Sequence, residues 1–174
     1  IIALGKTGAR ELNYVSDVDV LYLAEPATDA EGNPVCDTDR AIRIATKLVG
    51  ALVRICSDQT AAGTIWQIDS ALRPEGKAGP LVRTLASHRA YYEKWAKNWE
   101  FQAMLKARPM AGDLALAQEF VDLVWPMVWR VADDDQFVAE TQAMRRRVVS
   151  LLPATQAEHE IKLGAGGLRD VEFS

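Results

Sequence analysis

Cysteine is scarce in this sequence. Cys36 and Cys56 stand far apart and in no CxxC pair, which speaks against a disulfide framework and a zinc site and suits a reduced cytoplasm. No apolar run approaches the ~18 residues of a membrane helix, and no signal peptide precedes the first apolar stretch. Basic charge is not in excess: 20 Lys and Arg against 24 Asp and Glu leave a net charge of −4, which argues against a general nucleic-acid binder. The two histidines, His88 and His159, are isolated from each other, and neither is assigned to a site. Neither GxxxxGK[ST] nor GxGxxG occurs, and no internal repeat or low-complexity segment is evident. An initiating Met is missing as well, so the chain reads as a piece of something longer.

What is present suffices for a buried core, since 49% of the 174 residues are hydrophobic. Ile1 to Leu4 reads as a short buried strand, followed by the turn Gly5-Lys6-Thr7-Gly8-Ala9-Arg10-Glu11, which opens a brief helix. Backbone N–H groups freed at such a turn, with Lys6 beside them, can hold a phosphate; the plainer alternative is that Gly5 and Gly8 only shape it. A strand follows over Val15 to Leu23, then a loop over residues 27–37. Asp37 or Thr38 caps a helix to about Ser57, with Ala41, Ile44, Ala45, Leu48, Leu52 and Ile55 on the face expected to lie on the sheet. Its other side, with Asp39, Arg40, Arg43 and Lys47, is expected in solvent.

Thr64 to Leu72 alternates as another strand, with Trp66, Ile68 and Leu72 on one face and Gln67, Asp69 and Ala71 on the other. A turn-rich loop from Arg73 to Pro80 leads to a short returning strand, Leu81 to Arg83. Ser87 then caps an expected helix to Arg108, on which Tyr91, Tyr92, Trp95 and Trp99 form a packing stripe. Lys106 and Arg108 on it would face a phosphate or that helix's C-terminal dipole. Asp113 caps a further helix to Trp125, kinked or ended by Pro126, and Asp133-Asp134-Asp135 opens another that reaches Leu152. Arg145-Arg146-Arg147 near its end, like the acidic triplet at its start, suits the macrodipole. Ile161 to Phe173 reads as a glycine-turned hairpin. The expected organisation is α+β, with a sheet core over residues 1–84 and a mainly helical extension over 85–174 completing the same unit.

The chemistry concentrates in Asp17-Val18-Asp19. Side chains on a strand repeat every two residues, so both carboxylates leave one face with Cα atoms roughly 6.6 Å apart, and Val18, Val20 and Tyr22 take the other. Like charges held that close call for a cation or strong donors. A divalent metal is one reading; an Asp capping a turn beside an exposed Asp is the other. Asp69, alone on its half-buried strand, needs a partner too, either a metal or Arg73. Taken together, three carboxylates on two adjacent strands are what a two-metal phosphoryl or nucleotidyl transfer site requires. The Gly-Lys turn and Ser16 would then hold phosphate oxygens.

Leu4-Gly5-Lys6, followed after ten residues by Asp17-Val18-Asp19-Val20, resembles the signature of the DNA polymerase β-like nucleotidyltransferase superfamily, which usually has Gly or Ser where Lys6 stands. The wider stretch from Gly5 to Asp19 resembles the glutamine synthetase adenylyltransferase/adenylyl-removing family, whose loop typically reads GKLGG-x-EL, with Thr7 and Ala9 as conservative departures. The likeness continues through Asp69-x-x-Leu72-Arg73-Pro74-Glu75-Gly76, Trp99-Glu100 to Lys106-Ala107-Arg108, and Ile161-Lys162-Leu163-Gly164 to Glu172-Phe173. Glu11-Leu12-Asn13-Tyr14 and Gly166-Gly167-Leu168-Arg169 look more like the half that removes AMP from a tyrosine of glutamine synthetase by phosphorolysis, giving ADP. The resemblance implies a short mixed sheet with flanking helices, and two Mg²⁺ or Mn²⁺ ions on Asp17, Asp19 and Asp69. It implies Gly5, Lys6, Ser16, Arg73 and Arg169 as nucleotide- and phosphate-binding residues. Glutamine synthetase, a PII-type signal protein, ATP/ADP and inorganic phosphate are the implied partners, in the cytoplasm, with neither nucleic acid nor membrane. ATP-dependent adenylylation of the same tyrosine, or a non-catalytic docking scaffold, are the alternatives.

Overall fold

Apolar side chains at the start of the chain enter a sheet directly. In the computed structural model, which describes residues 1–153, 155 and 159–172, Ile2, Ala3 and Leu4 are fully buried. Strand β1 (Ile2–Ala3) lies antiparallel to β2 (Val18–Leu21), pairing Ile2 with Leu21 and Ala3 with Val20. On the other side of β2, β3 (Ile68–Asp69) runs parallel. On the other side of β1, β4 (Arg108–Pro109) runs antiparallel and closes the order β3-β2-β1-β4. This small mixed sheet with helices around it is the α+β architecture expected. Helix α1 (Gly5–Ala9) leaves β1 at once. Leu81 to Arg83 returns as expected, through a single parallel bridge from Arg83 to Leu23.

Helix α2 (Thr38–Ser57) begins where the cap predicts: the Asp37 carboxylate accepts the Arg40 N–H at 2.7 Å. Its orientation differs from the expected one. Ile42, Ala45, Val49 and Val53 pack with Val18, Val20, Tyr22, Ile68 and Val82, while Ile44, Leu48, Leu52 and Ile55 are exposed. Two apolar stripes share this helix at helical spacing, so periodicity alone does not choose between them. The chosen stripe carries the β-branched Ile42, Val49 and Val53. Asp39, Arg40, Arg43 and Lys47 are exposed as anticipated.

The single helix expected over 87–108 is instead α3 (Leu85–Lys94), α4 (Asn98–Met104) and strand β4. Thr84, not Ser87, caps α3, its hydroxyl accepting the Ser87 N–H at 3.1 Å. Glu100 folds back onto the Lys97 N–H at 3.0 Å and starts α4 afresh. Pro109 disfavours helical backbone at Arg108, releasing that residue to the sheet. The aromatic stripe divides accordingly. Tyr92 is buried, its ring against Tyr91, His88, Phe101 and Phe120 at centroid distances of 5.6, 6.0, 6.0 and 6.1 Å, whereas Trp95 is 73% exposed and Trp99 41%. Helix α5 (Leu114–Ala132) opens on Asp113, which accepts from Ala115 and Leu116 N–H at 3.0 Å, and it continues through Pro126.

The chain divides into compact units over Ile1–Trp129 and Arg130–Ser174. The first runs past residue 84 because β4 returns to the sheet from beyond it. In the second, α6 (Phe137–Ser150) starts after the acidic triplet, with Asp134 accepting the Gln136 N–H at 2.9 Å. No hairpin forms over the described part of 161–173. Residues 161–167 are turns, Leu168–Glu172 is helix α7, and Phe173 lies outside the described residues. Arg145 ties this segment down, its guanidinium donating to the Leu163 and Gly164 carbonyls at 2.9 and 2.7 Å and pairing with Asp170. The Gly164 carbonyl also accepts the Gly167 N–H at 3.1 Å, closing a turn.

Candidate active site

The parallel register of β2 and β3 places Asp19 directly beside Asp69. Because Val18, Val20, Tyr22 and Ile68 face the core, strand alternation sends both carboxylates to the other side of the sheet. Asp69 is oriented by its own loop, Oδ1 accepting the Ala71 N–H at 2.7 Å. Asp19 is oriented by the turn after β1. Gly5 has φ +50°, and a Cβ added there would lie 2.8 Å from Asp19 Oδ2. Only glycine allows both that backbone and that approach. The Leu4 N–H donates to the Asp19 carbonyl at 2.9 Å, so turn and carboxylate are held by the same short segment. Lys6 follows as the second residue of α1, half-buried.

Asp17 is exposed, one residue before β2 begins. Among the described residues, no three His, Cys, Asp or Glu side chains group as a cation site; the register sets Asp19 beside Asp69, and Asp17 lies two residues before Asp19 in the chain. The donor chemistry of Asp19 and Asp69 is compatible with Mg²⁺ or Mn²⁺. Both supply hard carboxylate oxygens, and Mg²⁺ is commonly bound by one or two carboxylates, with substrate phosphate and water completing its shell. Ser16 contributes its carbonyl to Trp66 Nε1 at 2.7 Å, tying the approach to Asp17 onto the approach to β3.

Arg73 does not pair with Asp69. Its guanidinium donates to the carbonyls of Ser70 at 2.8 Å and of Lys77 and Gly79 at 3.2 Å, stapling the loop that follows β3. Arg169 belongs to α7 in the second unit. Lys106 pairs with Glu11 at 3.1 Å. Arg108 serves a helix dipole, but that of α1 instead of its own predicted helix: Nε donates to the Gly8 carbonyl at 2.9 Å and an Nη to the Thr7 carbonyl at 3.1 Å. Nothing near Arg108 in sequence signals this, because its partners are about a hundred residues away. Arg145 is a second such case: its place in a charged helix end gives no sign of the Leu163 and Gly164 carbonyls it serves.

Compared with known proteins, residues 1–122 match the family model described as glutamate-ammonia ligase adenylyltransferase. This chain belongs to that family. Over its whole length it is 64% identical to the bifunctional glutamine synthetase adenylyltransferase/adenylyl-removing enzyme of Cutibacterium acnes. Identity is 58% to the enzyme of that name in Streptomyces avermitilis and 55% to the one in Streptomyces coelicolor. In each case the chain spans only 17% of the relative's length. The family model covers β1 to β4 and the start of α5, hence both Asp19 and Asp69.

Proposed function

We propose that this chain carries a nucleotidyl-transfer centre acting on glutamine synthetase, and that it removes AMP from an adenylylated tyrosine by phosphorolysis. The observation that carries the reading is the side-by-side placement of Asp19 and Asp69, with the glycine turn of α1 pressed against Asp19. The relatives' printed name supports the substrate. Glu11-Leu12-Asn13-Tyr14 and Gly166-Gly167-Leu168-Arg169 favour the removing direction.

Asp19 and Asp69 would hold Mg²⁺ or Mn²⁺, two ions with Asp17 engaged, and bound metal supplies charge stabilisation to the transferring phosphoryl group. The α1 turn and Lys6 bind and orient phosphate oxygens; Ser16 and Arg73 shape the segments on either side. An oxygen of inorganic phosphate bonds to the α-phosphorus as the bond to the tyrosine oxygen breaks, leaving ADP and free tyrosine. Phosphate is already anionic and a phenol with pKa near 10 is a tolerable leaving group, so no strong base is needed. In the opposite direction Asp69 is placed to accept the tyrosine proton. Free Cys36 and Cys56 suit a cytoplasmic protein, where a PII-type regulator would meet it.

The test is incubation with adenylylated glutamine synthetase, Mg²⁺ and phosphate. Release of ADP supports the proposal. Incorporation of AMP from ATP into unmodified glutamine synthetase would assign the opposite direction, and absence of both would refute a catalytic role.

A further inference from the structure

Helix α1 has five residues, about 7.5 Å of rise, so its two ends move as one body. One end meets the carboxylate at Gly5. The other is gripped from β4. A Cβ on Gly8 would lie 1.9 Å from the Lys106 carbonyl oxygen, which shows how closely α1 is pressed onto the chain entering β4. Arg108, paired with Ala3 in the sheet, spans the Thr7 and Gly8 carbonyls with one guanidinium. Beside it, the Lys6 carbonyl accepts the Glu11 N–H at 2.9 Å, and Arg10 adopts φ 62° to turn the chain away. Glu11 is then strapped back to Lys106.

We infer that Arg108 is a positioning residue, one that sets the Gly5-Lys6 turn on Asp19 by holding the far end of α1. It touches no reacting atom, and it acts through the backbone. The guanidinium is suited to this because it is permanently charged, planar and able to serve two carbonyls at once, which an ammonium on a flexible stem does less well. Its charge also opposes the negative end of the α1 dipole. The catalytic consequence rests on the phosphorolysis proposed above: a turn that tilts on Asp19 misplaces the phosphate-binding N–H groups and Lys6 together.

The experiment compares the chain with its Arg108→Met and Arg108→Lys variants by amide hydrogen exchange and by phosphorolysis kinetics. In Arg108→Met the Gly8 and Glu11 amides should exchange at least about tenfold faster while α5 amides keep their rates. The KM for phosphate should rise about tenfold, with the KM for adenylylated glutamine synthetase unchanged. Arg108→Lys, which keeps the charge, should recover part of both effects and carries the measurement if the Met variant does not fold. Unchanged exchange in α1, equal acceleration throughout the fold, or loosened α1 with an unaltered KM for phosphate would each overturn the inference. If the wild-type chain shows no turnover, the proposed function fails, and the exchange data alone decide whether Arg108 holds the turn.

Discussion

Asp19 and Asp69 face each other across parallel strands, each carboxylate held from a different side, Asp19 by the Gly5 turn and Asp69 by the Ala71 N–H. Two like charges directly opposite cost stability unless a cation or hydrogen-bond donors compensate them. In the function proposed above, the pair trades resting stability for a cation site.

That trade is measurable. Asp19→Asn or Asp69→Asn should lower phosphorolysis at least about 100-fold while leaving the metal-free melting temperature unchanged or slightly raised, since repulsion is relieved. Asp17→Asn should abolish turnover without unfolding the chain. Retained turnover in Asp17→Asn would confine the metal role to the other two; retained turnover in Asp19→Asn would sink it. Thermal melts beside the assay provide the control.

Gly8 and Gly50 should respond oppositely to alanine. At Gly8 the new methyl meets the Lys106 carbonyl, a backbone atom that cannot swing aside, and a loss of about 3 kcal/mol is expected. At Gly50, within α2, the nearest contact is Arg54 Nη1 at 3.9 Å, so alanine should stabilise by about 0.5–1 kcal/mol. Urea denaturation of both variants checks the contrast.

His88 should give the fold an acid-sensitive term. It is 1% exposed and packs edge-on to Phe120 at 5.1 Å; burial first, then the Arg83 charge, pushes its pKa down to about 4 against a smaller opposing contribution from the Tyr22 backbone. The unfolded chain, with a pKa near 6.5, binds the proton that the folded chain refuses. Stability from this group is thus complete above pH 6.5 and declines as pH falls toward 4, by roughly 3 kcal/mol in all. Chemical denaturation across that window should show the slope in the wild type and lose most of it in His88→Leu.

Arg145→Met should loosen residues 161–170, because it removes the donors to Leu163 and Gly164 and the partner of Asp170 together. The Arg145 contact holds the Asp170 carboxyl below its usual range, with help from the Gly166 N–H. Limited proteolysis should cut this segment faster in the variant while the Ile1–Trp129 unit resists as before.

Residue order announces much of what depends on near neighbours, though the Thr84 cap and the restart of α4 at Glu100, equally local, emerge only in the structure. The Asp37 and Asp113 caps, the glycine turn after β1 and the alternation that puts Asp19 opposite to Val18 and Val20 all follow from spacings of a few residues. So does the α+β class. Long-range packing decided the rest. Which of two apolar stripes of α2 meets the sheet, whether Arg108 continues a helix or joins β1, and which carbonyls Arg145 and Arg108 satisfy are set by groups brought together from distant parts of the chain. Asp19 and Asp69 show both levels at once: each strand's alternation chose the face, but only the parallel register made them neighbours.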